Sequence, residues 1–265
     1  MNNEILLVEE DDNYATIIFN RPERKNSLSS DLLIKLHLQL ESWAKDDKFK
    51  AVIFRGIGEE AFSSGYDILS IPTELTPEME QWLEGKSPVE LALESVRNYP
   101  YPTIAMLNGY AFGAGLNLAV CCDIRIGAND IKVGMPPAKL GIVYHPEGIR
   151  QFVNAIGMAR TKEIFYTGKT YKNEMVEKMG LVDHLVDREI LEKTVFDYAK
   201  EISKNAPLSL KGTKKIIGML EKGIEFSGEN RRATEALIAE AFNSDDLKEG
   251  QMAFIEKRRP TFKGS

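Results

Sequence analysis

The chain has 265 residues, 43% of them hydrophobic, enough for one large core that needs no disulfide or metal staples. Its 40 acidic side chains against 34 basic ones leave a net charge of −6, which argues against a nucleic-acid partner. The 2 cysteines are adjacent, Cys121 and Cys122, so they cannot frame a disulfide scaffold and lack metal-ligand spacing; core positions in a reducing cytoplasm, and no metal site, are expected.

Met1-Asn2-Asn3-Glu4 has no basic segment ahead of an apolar run, and no stretch approaches the roughly 18 apolar residues of a membrane span. Neither secretion nor membrane insertion is expected. Ile5-Leu6-Leu7-Val8 and Tyr14 to Phe19, separated by Glu10-Asp11-Asp12-Asn13, read as a hairpin. A helix is expected from about Asp31, capped by Ser29, Ser30 or Asp31, with Leu32, Leu36, Leu40 and Trp43 on one face. His37 on that helix reads as a packing residue.

Ala51-Val52-Ile53-Phe54-Arg55-Gly56 reads as a strand, followed by the turn Ala61-Phe62-Ser63-Ser64-Gly65-Tyr66-Asp67. The Pro- and Glu-rich text from Ile71 to Pro88 suggests a flap or short helix, in which Trp82 either lines a pocket or staples the surface. Pro102 to Leu107 is a short buried strand, Asp123 to Ile126 another. Between them Asn108-Gly109-Tyr110-Ala111-Phe112-Gly113-Ala114-Gly115-Leu116-Asn117 reads as a glycine turn feeding an apolar helix. Such a helix start aims free N–H groups at negative charge. Beyond Glu189 the pattern is helical, around 191–205, 208–223 and 226–242.

These two turns, with Asn20-Arg21-Pro22 after the second strand and Gly250-Gln251-Met252-Ala253-Phe254-Ile255-Glu256-Lys257-Arg258 near the end, resemble the crotonase, or enoyl-CoA hydratase/isomerase, superfamily along the whole chain. The resemblance implies an α/β fold: a spiral of repeated strand–strand–helix units over residues 1–200, and a helical C-terminal segment, 201–265, that packs on a neighbouring subunit in a homotrimer or homohexamer. It also likens the text from Arg160 to Leu185 to a helix, short strand, helix and strand closing the core, with His184 structural. An acyl-CoA thioester is the implied substrate. Coenzyme A is then part of the substrate, and no separate cofactor is implied.

The chemistry that the resemblance implies is an enolate formed at the thioester carbonyl, its oxygen held by two main-chain N–H groups. Those donors fall on Tyr66, within Ser64-Gly65-Tyr66-Asp67, and on Ala114, within Gly113-Ala114-Gly115. Loss of one such donor typically removes about 2.7–4 kcal/mol of transition-state stabilisation. Asp67 is expected to hold its turn together rather than to move protons. Arg24 and Lys25 would approach the CoA phosphates, and Phe254 and Lys257 the adenine and 3′-phosphate; for Arg24, Lys25 and Arg258 a merely solvated charge is the competing reading.

The chain departs from the hydratases of that superfamily. Hydration uses two glutamates, one to activate water and one to protonate carbon; the matching positions hold Asn117 and Pro137. The following loop, Ile142-Val143-Tyr144-His145-Pro146-Glu147-Gly148, carries a Leu140-Gly141-x-x-Tyr144 pattern that resembles the methylmalonyl-CoA decarboxylases, although these have a histidine where this chain has Tyr66. Decarboxylation creates the enolate without removing a C–H proton, and Tyr144 could bond the departing carboxylate or protonate the enolate carbon. His145 matches a position where dienoyl-CoA isomerases and an aryl-CoA dehalogenase carry an aspartate, and Glu147 could serve as a displaced water-activating carboxylate. Alternatively His145-Pro146 shapes the loop while Glu147 faces solvent or caps the next helix. A small malonyl-type acyl-CoA decarboxylase leads these readings. An atypical hydratase/isomerase and a catalytically inactive CoA-ester-binding protein are the rivals.

Overall fold

The computed structural model describes residues 4–67, 83, 85–225 and 227–265. Trp82 and most of the Ile71–Pro88 segment lie outside them.

The hairpin opens the fold as expected: β1 (Leu6–Glu10) runs antiparallel to β2 (Tyr14–Phe19). Every residue of β2 is buried, as a strand covered on both faces requires. Helix α1 (Ser30–Lys45) starts where the serines predict, the Ser29 hydroxyl accepting from the Leu32 N–H at 3.3 Å. Its apolar face buries Leu32, Leu33, Leu36, Leu40 and Trp43. His37 packs as read, its Nδ1 2.6 Å from Ser95 Oγ.

Each following turn of the chain supplies one strand to a long sheet and one to a short sheet. β3 (Ala51–Gly56) is followed by β4 (Ala61–Ser63), β5 (Thr103–Leu107) by β6 (Tyr110–Phe112), and β7 (Ile124–Ala128) by β8 (Lys132–Gly134). The long sheet runs β1-β2-β3-β5-β7-β10, with β10 spanning His184–Val186, and is parallel beyond the hairpin. The short sheet runs β4-β6-β8-β9, with β9 spanning Thr170–Lys172. This is the expected α/β spiral of strand–strand–helix units. The short strands at Ala61 and Tyr110 read as turns in the sequence because three residues carry too little alternation to register.

Helix α2 (Pro88–Asn98), which periodicity did not single out, packs on α1 and opens with a capping box between Ser87 and Glu90. Helix α3 (Ala114–Cys121) is buried at every residue, Cys121 included, and is apolar except at Asn117. Helix α4 (Pro146–Thr167) breaks at Gly157, where φ is 76° and ψ 162°. Then come α5 (Glu174–Lys178), α6 (Arg188–Ser203) across the long sheet, α7 (Pro207–Glu221), α8 (Gly228–Phe242) and α9 (Asp245–Glu256). No helix among the described residues is long and apolar enough to cross a membrane.

Candidate active site

The two glycine turns lie against each other. Leu28 bridges Tyr66 in parallel fashion: its N–H donates to Gly65 O at 2.8 Å, and its carbonyl accepts from the Asp67 N–H at 2.9 Å. Backbone groups alternate along an extended segment, so the Tyr66 N–H points to the opposite edge, the one on which β4 pairs with β6. Beyond β6, the Gly113 N–H is taken by Gly134 O at 3.0 Å, and Ala114 begins α3. The Ala114 N–H is one of the four at a helix start that lack an intrahelical acceptor.

Close approach makes the glycines obligatory. A Cβ on Gly65, whose φ is +106°, would lie 2.8 Å from Phe112 O and 3.7 Å from the Ala114 nitrogen. A Cβ on Gly115 would sit 2.6 Å from Ser63 Cβ. The amides of residues 66 and 114 thus belong to two backbones in direct contact.

The segment after β2 braces the first turn. Arg21 reaches Asp67 Oδ2 through Nη2 at 2.9 Å and donates through Nη1 to the Ser27 carbonyl at 2.8 Å. The Ser64 N–H donates to Lys25 O at 2.9 Å, and the Ser64 hydroxyl to Arg24 O at 3.2 Å. Asp67 therefore serves as the clamp that its position suggested. The Tyr66 hydroxyl lies 2.9 Å from Ser30 Oγ at the start of α1. Lys25 is exposed, paired with Glu60 at 2.9 Å, and lies 5.9 Å from the Tyr110 ring centroid; Lys132 lies 5.3 Å from the same centroid. Sequence reasoning missed Lys132, which only the β6–β8 pairing brings to this rim.

One helical turn after Ala114, on the same face, stands Asn117, fully buried. Its Oδ1 accepts from the Tyr144 hydroxyl at 2.9 Å, and its Nδ2 donates to Gln151 Oε1 at 2.6 Å. Burial, above all, pushes the Tyr144 phenol well up, so it stays protonated. Pro137 is buried at the start of a short 3-10 turn, Pro137–Leu140, and offers no proton-transfer group. Val143, beside Tyr144 in sequence, is 94% exposed.

His145 caps α4, its Nδ1 accepting from the Gly148 N–H at 3.1 Å. Its neutral ring then carries the proton on Nε2, a buried atom without a hydrogen-bond partner. Burial lowers the His145 pKa below the ordinary imidazole value despite the nearby carboxylates of Glu90 and Glu147. Of the two roles weighed for His145, shaping the loop is the one these bonds describe.

Glu147 is occupied elsewhere. Both its oxygens are taken by the Arg150 guanidinium, which donates through Nε at 2.9 Å, and Arg97 bonds it as well. Partial burial pushes its carboxyl up, but the Arg150 hydrogen bond and the charges of Arg150 and Arg97 outweigh that and hold it below the usual range. A carboxylate held by two guanidiniums is a poor water-activating base. It lines a cavity of about 340 Å³ with Glu90, Arg97, His145 and Gln151. Phe254, 86% exposed, and Lys257, the C-cap of α9, stand outside this cluster. Among the described residues no group of His, Cys, Asp or Glu could hold a metal ion.

Residues 9–265 match the family described as Enoyl-CoA hydratase/isomerase. The chain is 32% identical over 260 residues to a short-chain-enoyl-CoA hydratase of Clostridium acetobutylicum, covering 98% of this chain and 97% of that one. It is 30% identical over 263 residues to the mitochondrial methylglutaconyl-CoA hydratase of Rattus norvegicus, covering 97% and 82%. The structure is similar to that of an enoyl-CoA hydratase/carnithine racemase from Magnetospirillum magneticum, with a TM-score of 0.89 at 29% identity over 99% of this chain and 96% of that one. Two abutting glycine turns on this spiral, matched over almost the full length, make the chain a member of the enoyl-CoA hydratase/isomerase family of the crotonase superfamily, an acyl-CoA enzyme.

Proposed function

We propose that the Tyr66 and Ala114 amides hold the thioester oxygen of a small malonyl-type acyl-CoA while its carboxylate leaves as CO2. The observation that carries this reading is the chemistry at three positions, none of them a carboxylate base: Asn117 one helical turn after Ala114, the protonated Tyr144 bonded to it, and the buried Pro137. Breaking the C–C bond to the carboxylate pushes an electron pair into the thioester carbonyl, and the two N–H donors stabilise the resulting enolate oxygen. No base is consumed. Tyr144, a protonated phenol bonded to Asn117, would hand the proton to the α-carbon.

The rim supports a CoA ester. Lys25 and Lys132 flank Tyr110 beside the first turn, where phosphates would gain charge-assisted bonds; Arg24, Ser64, Gly65, Asp67 and Gly113 shape that entrance. Phe254 and Lys257 would serve the nucleotide end of a ligand on a neighbouring subunit. Exposed Leu220, Ile238, Phe242 and Ile255 on the C-terminal helices support association between copies, which we read as a homotrimer or homohexamer.

Hydration is the second reading, favoured by the names of the two relatives described above. It would need Asn117 and Tyr144 to orient a water that neither can deprotonate readily. Purified protein incubated with methylmalonyl-CoA, malonyl-CoA, crotonyl-CoA and a 3-enoyl-CoA, with products followed by mass, separates the readings. Loss of CO2 from the malonyl esters alone supports decarboxylation. Water addition to crotonyl-CoA without CO2 loss overturns it, and tight binding with no turnover indicates a CoA-ester-binding protein.

A further inference from the structure

A buried chain of hydrogen bonds runs from the candidate site into the core. The Tyr144 hydroxyl donates to Asn117 Oδ1, Asn117 Nδ2 donates to Gln151 Oε1, and the Cys121 thiol lies 3.0 Å from the same Oε1. Asn117 is fully buried and Gln151 is 5% exposed, so neither amide can substitute water for its partner at low cost.

An amide presents a donor on one side and an acceptor on the other, so such a chain has a direction. Reversed, Gln151 would aim its NH2 at Asn117, Asn117 would aim its NH2 at Tyr144, and the phenolic oxygen would become the acceptor. The contacts of the thiol select the first: its S–H donates to Gln151 Oε1 at 3.0 Å while its sulfur lies 3.8 Å from the Asn117 Nδ2 donor. Burial pushes Cys121 well above its ordinary pKa, so it keeps its proton. A protonated thiol 3.0 Å from Oε1 is a donor there. With the Gln151 oxygen facing Cys121 and Asn117, every remaining bond is forced.

We propose that Gln151 is a positioning residue that sets the direction of this chain and so holds the Tyr144 proton against Asn117, with the phenolic lone pairs turned to the acyl group. The proposal rests on the reading that Tyr144 lines the reacting carbon. An acyl carboxylate arriving there meets lone pairs and ring edge instead of a donor, which leaves its charge poorly solvated and favours departure as neutral CO2. The hydroxyl then rotates about its C–O bond, and its proton passes to the α-carbon as the enolate electrons form the new C–H bond. Solvent returns a proton to the phenolate.

Gln151→Leu removes the acceptor, and Gln151→Glu preserves it whenever the new carboxyl is ionised. Protein carrying 13Cζ-labelled tyrosine, with the Tyr144 signal identified through Tyr144→Phe, reports the hydroxyl's bonding without any substrate. The Tyr144 signal is expected to move in Gln151→Leu and to return in Gln151→Glu as pH rises. With the acyl-CoA that the product assay identifies, Gln151→Leu should lower kcat roughly tenfold and leave KM within about twofold, the scale of one misdirected neutral hydrogen bond. Gln151→Glu should recover kcat with the same pH dependence as its signal.

A Tyr144 signal in folded Gln151→Leu identical to that of the parent overturns the positioning role, and so does a moved signal with unchanged kcat. If Gln151→Leu does not fold, Cys121→Ala takes its place: deleting the thiol that selects the direction must also move the Tyr144 signal. Because the spectrum needs no turnover, inertness toward the malonyl esters would sink the decarboxylase reading while leaving the direction of the chain to the spectrum.

Discussion

The Arg21 guanidinium meets Asp67 Oδ2 at 2.9 Å across 46 positions of sequence, both side chains mostly buried. This pair fastens the segment after β2 to the first glycine turn, and so fixes where the Tyr66 amide stands. A shift of about 1 Å in such a donor is enough to weaken a developing-charge contact severely.

Arg21→Met should therefore destabilise the protein by about 3 kcal/mol, the lower end of the range for taking one partner from a buried ion pair. Urea unfolding at neutral pH measures this directly. A loss under about 0.5 kcal/mol, the size typical of surface changes, would mean that the turn is held without the pair.

Gly65→Ala separates position from stability. The new methyl would lie 2.8 Å from Phe112 O at a φ of +106°, so the turns must move apart. We expect turnover to drop by about a hundredfold or more, the cost of one lost main-chain donor. Thermal unfolding should show a smaller effect, because the turn lies beyond the end of β4 and away from the long sheet. Steady-state kinetics on the active ester provides the check, and near-parental kcat would remove the amide of residue 66 from the mechanism.

Much of this was legible from local text. The hairpin, α1 with its serine cap, β3, β5, β7 and the glycine-led start of α3 each announce themselves within a dozen residues, through period, caps or turn chemistry. What was not legible depends on distance. Asp67 read as a turn-holder, but nothing near it names Arg21. For Glu147, Arg150 lies only three residues on, but the second guanidinium, Arg97, lies 50 positions upstream. Gln151 carried no signal at all, since a glutamine on a helix is ordinarily solvated; only the packing of α3 against α4 places it on Asn117.

Gly148 marks the tightest part of that packing. A Cβ there would come 2.4 Å from Tyr144 Cε1, 2.7 Å from His145 Nε2 and 2.8 Å from Asn117 Oδ1. Gly148→Ala should cost about 1–3 kcal/mol of stability, as overpacking does, and displace all three groups. Tyr144→Phe should be milder in shape but leave Asn117 Oδ1 without its hydroxyl donor, costing about 1–3 kcal/mol. If Gly148→Ala melts like the parent and keeps full activity, the convergence of these groups has no functional weight.

His145 makes stability depend on pH in a window of its own. Its folded pKa is lowered by burial, so as pH falls through about 6.5 the unfolded chain takes up a proton that the folded chain refuses. Stability should fall on acidification from pH 7 toward 5. The charges facing it are Glu90 and Glu147, with Arg97 and Arg150 holding the latter. Both carboxyls titrate below their ordinary values: Glu90 chiefly through the Ser87 backbone N–H, Glu147 through its arginines against the opposing push of burial. Their stabilisation is complete above about pH 4.3 and is lost only below it. The two windows are therefore separable. His145→Asn keeps an oxygen acceptor for the Gly148 N–H, since asparagine is a good N-cap, but cannot titrate. Chemical unfolding at pH 5, 6, 7 and 8 should show the parent losing stability toward acid while His145→Asn stays nearly level, with the difference between them largest at pH 5. Parallel curves would mean that this ring is protonated as readily in the folded chain as in water.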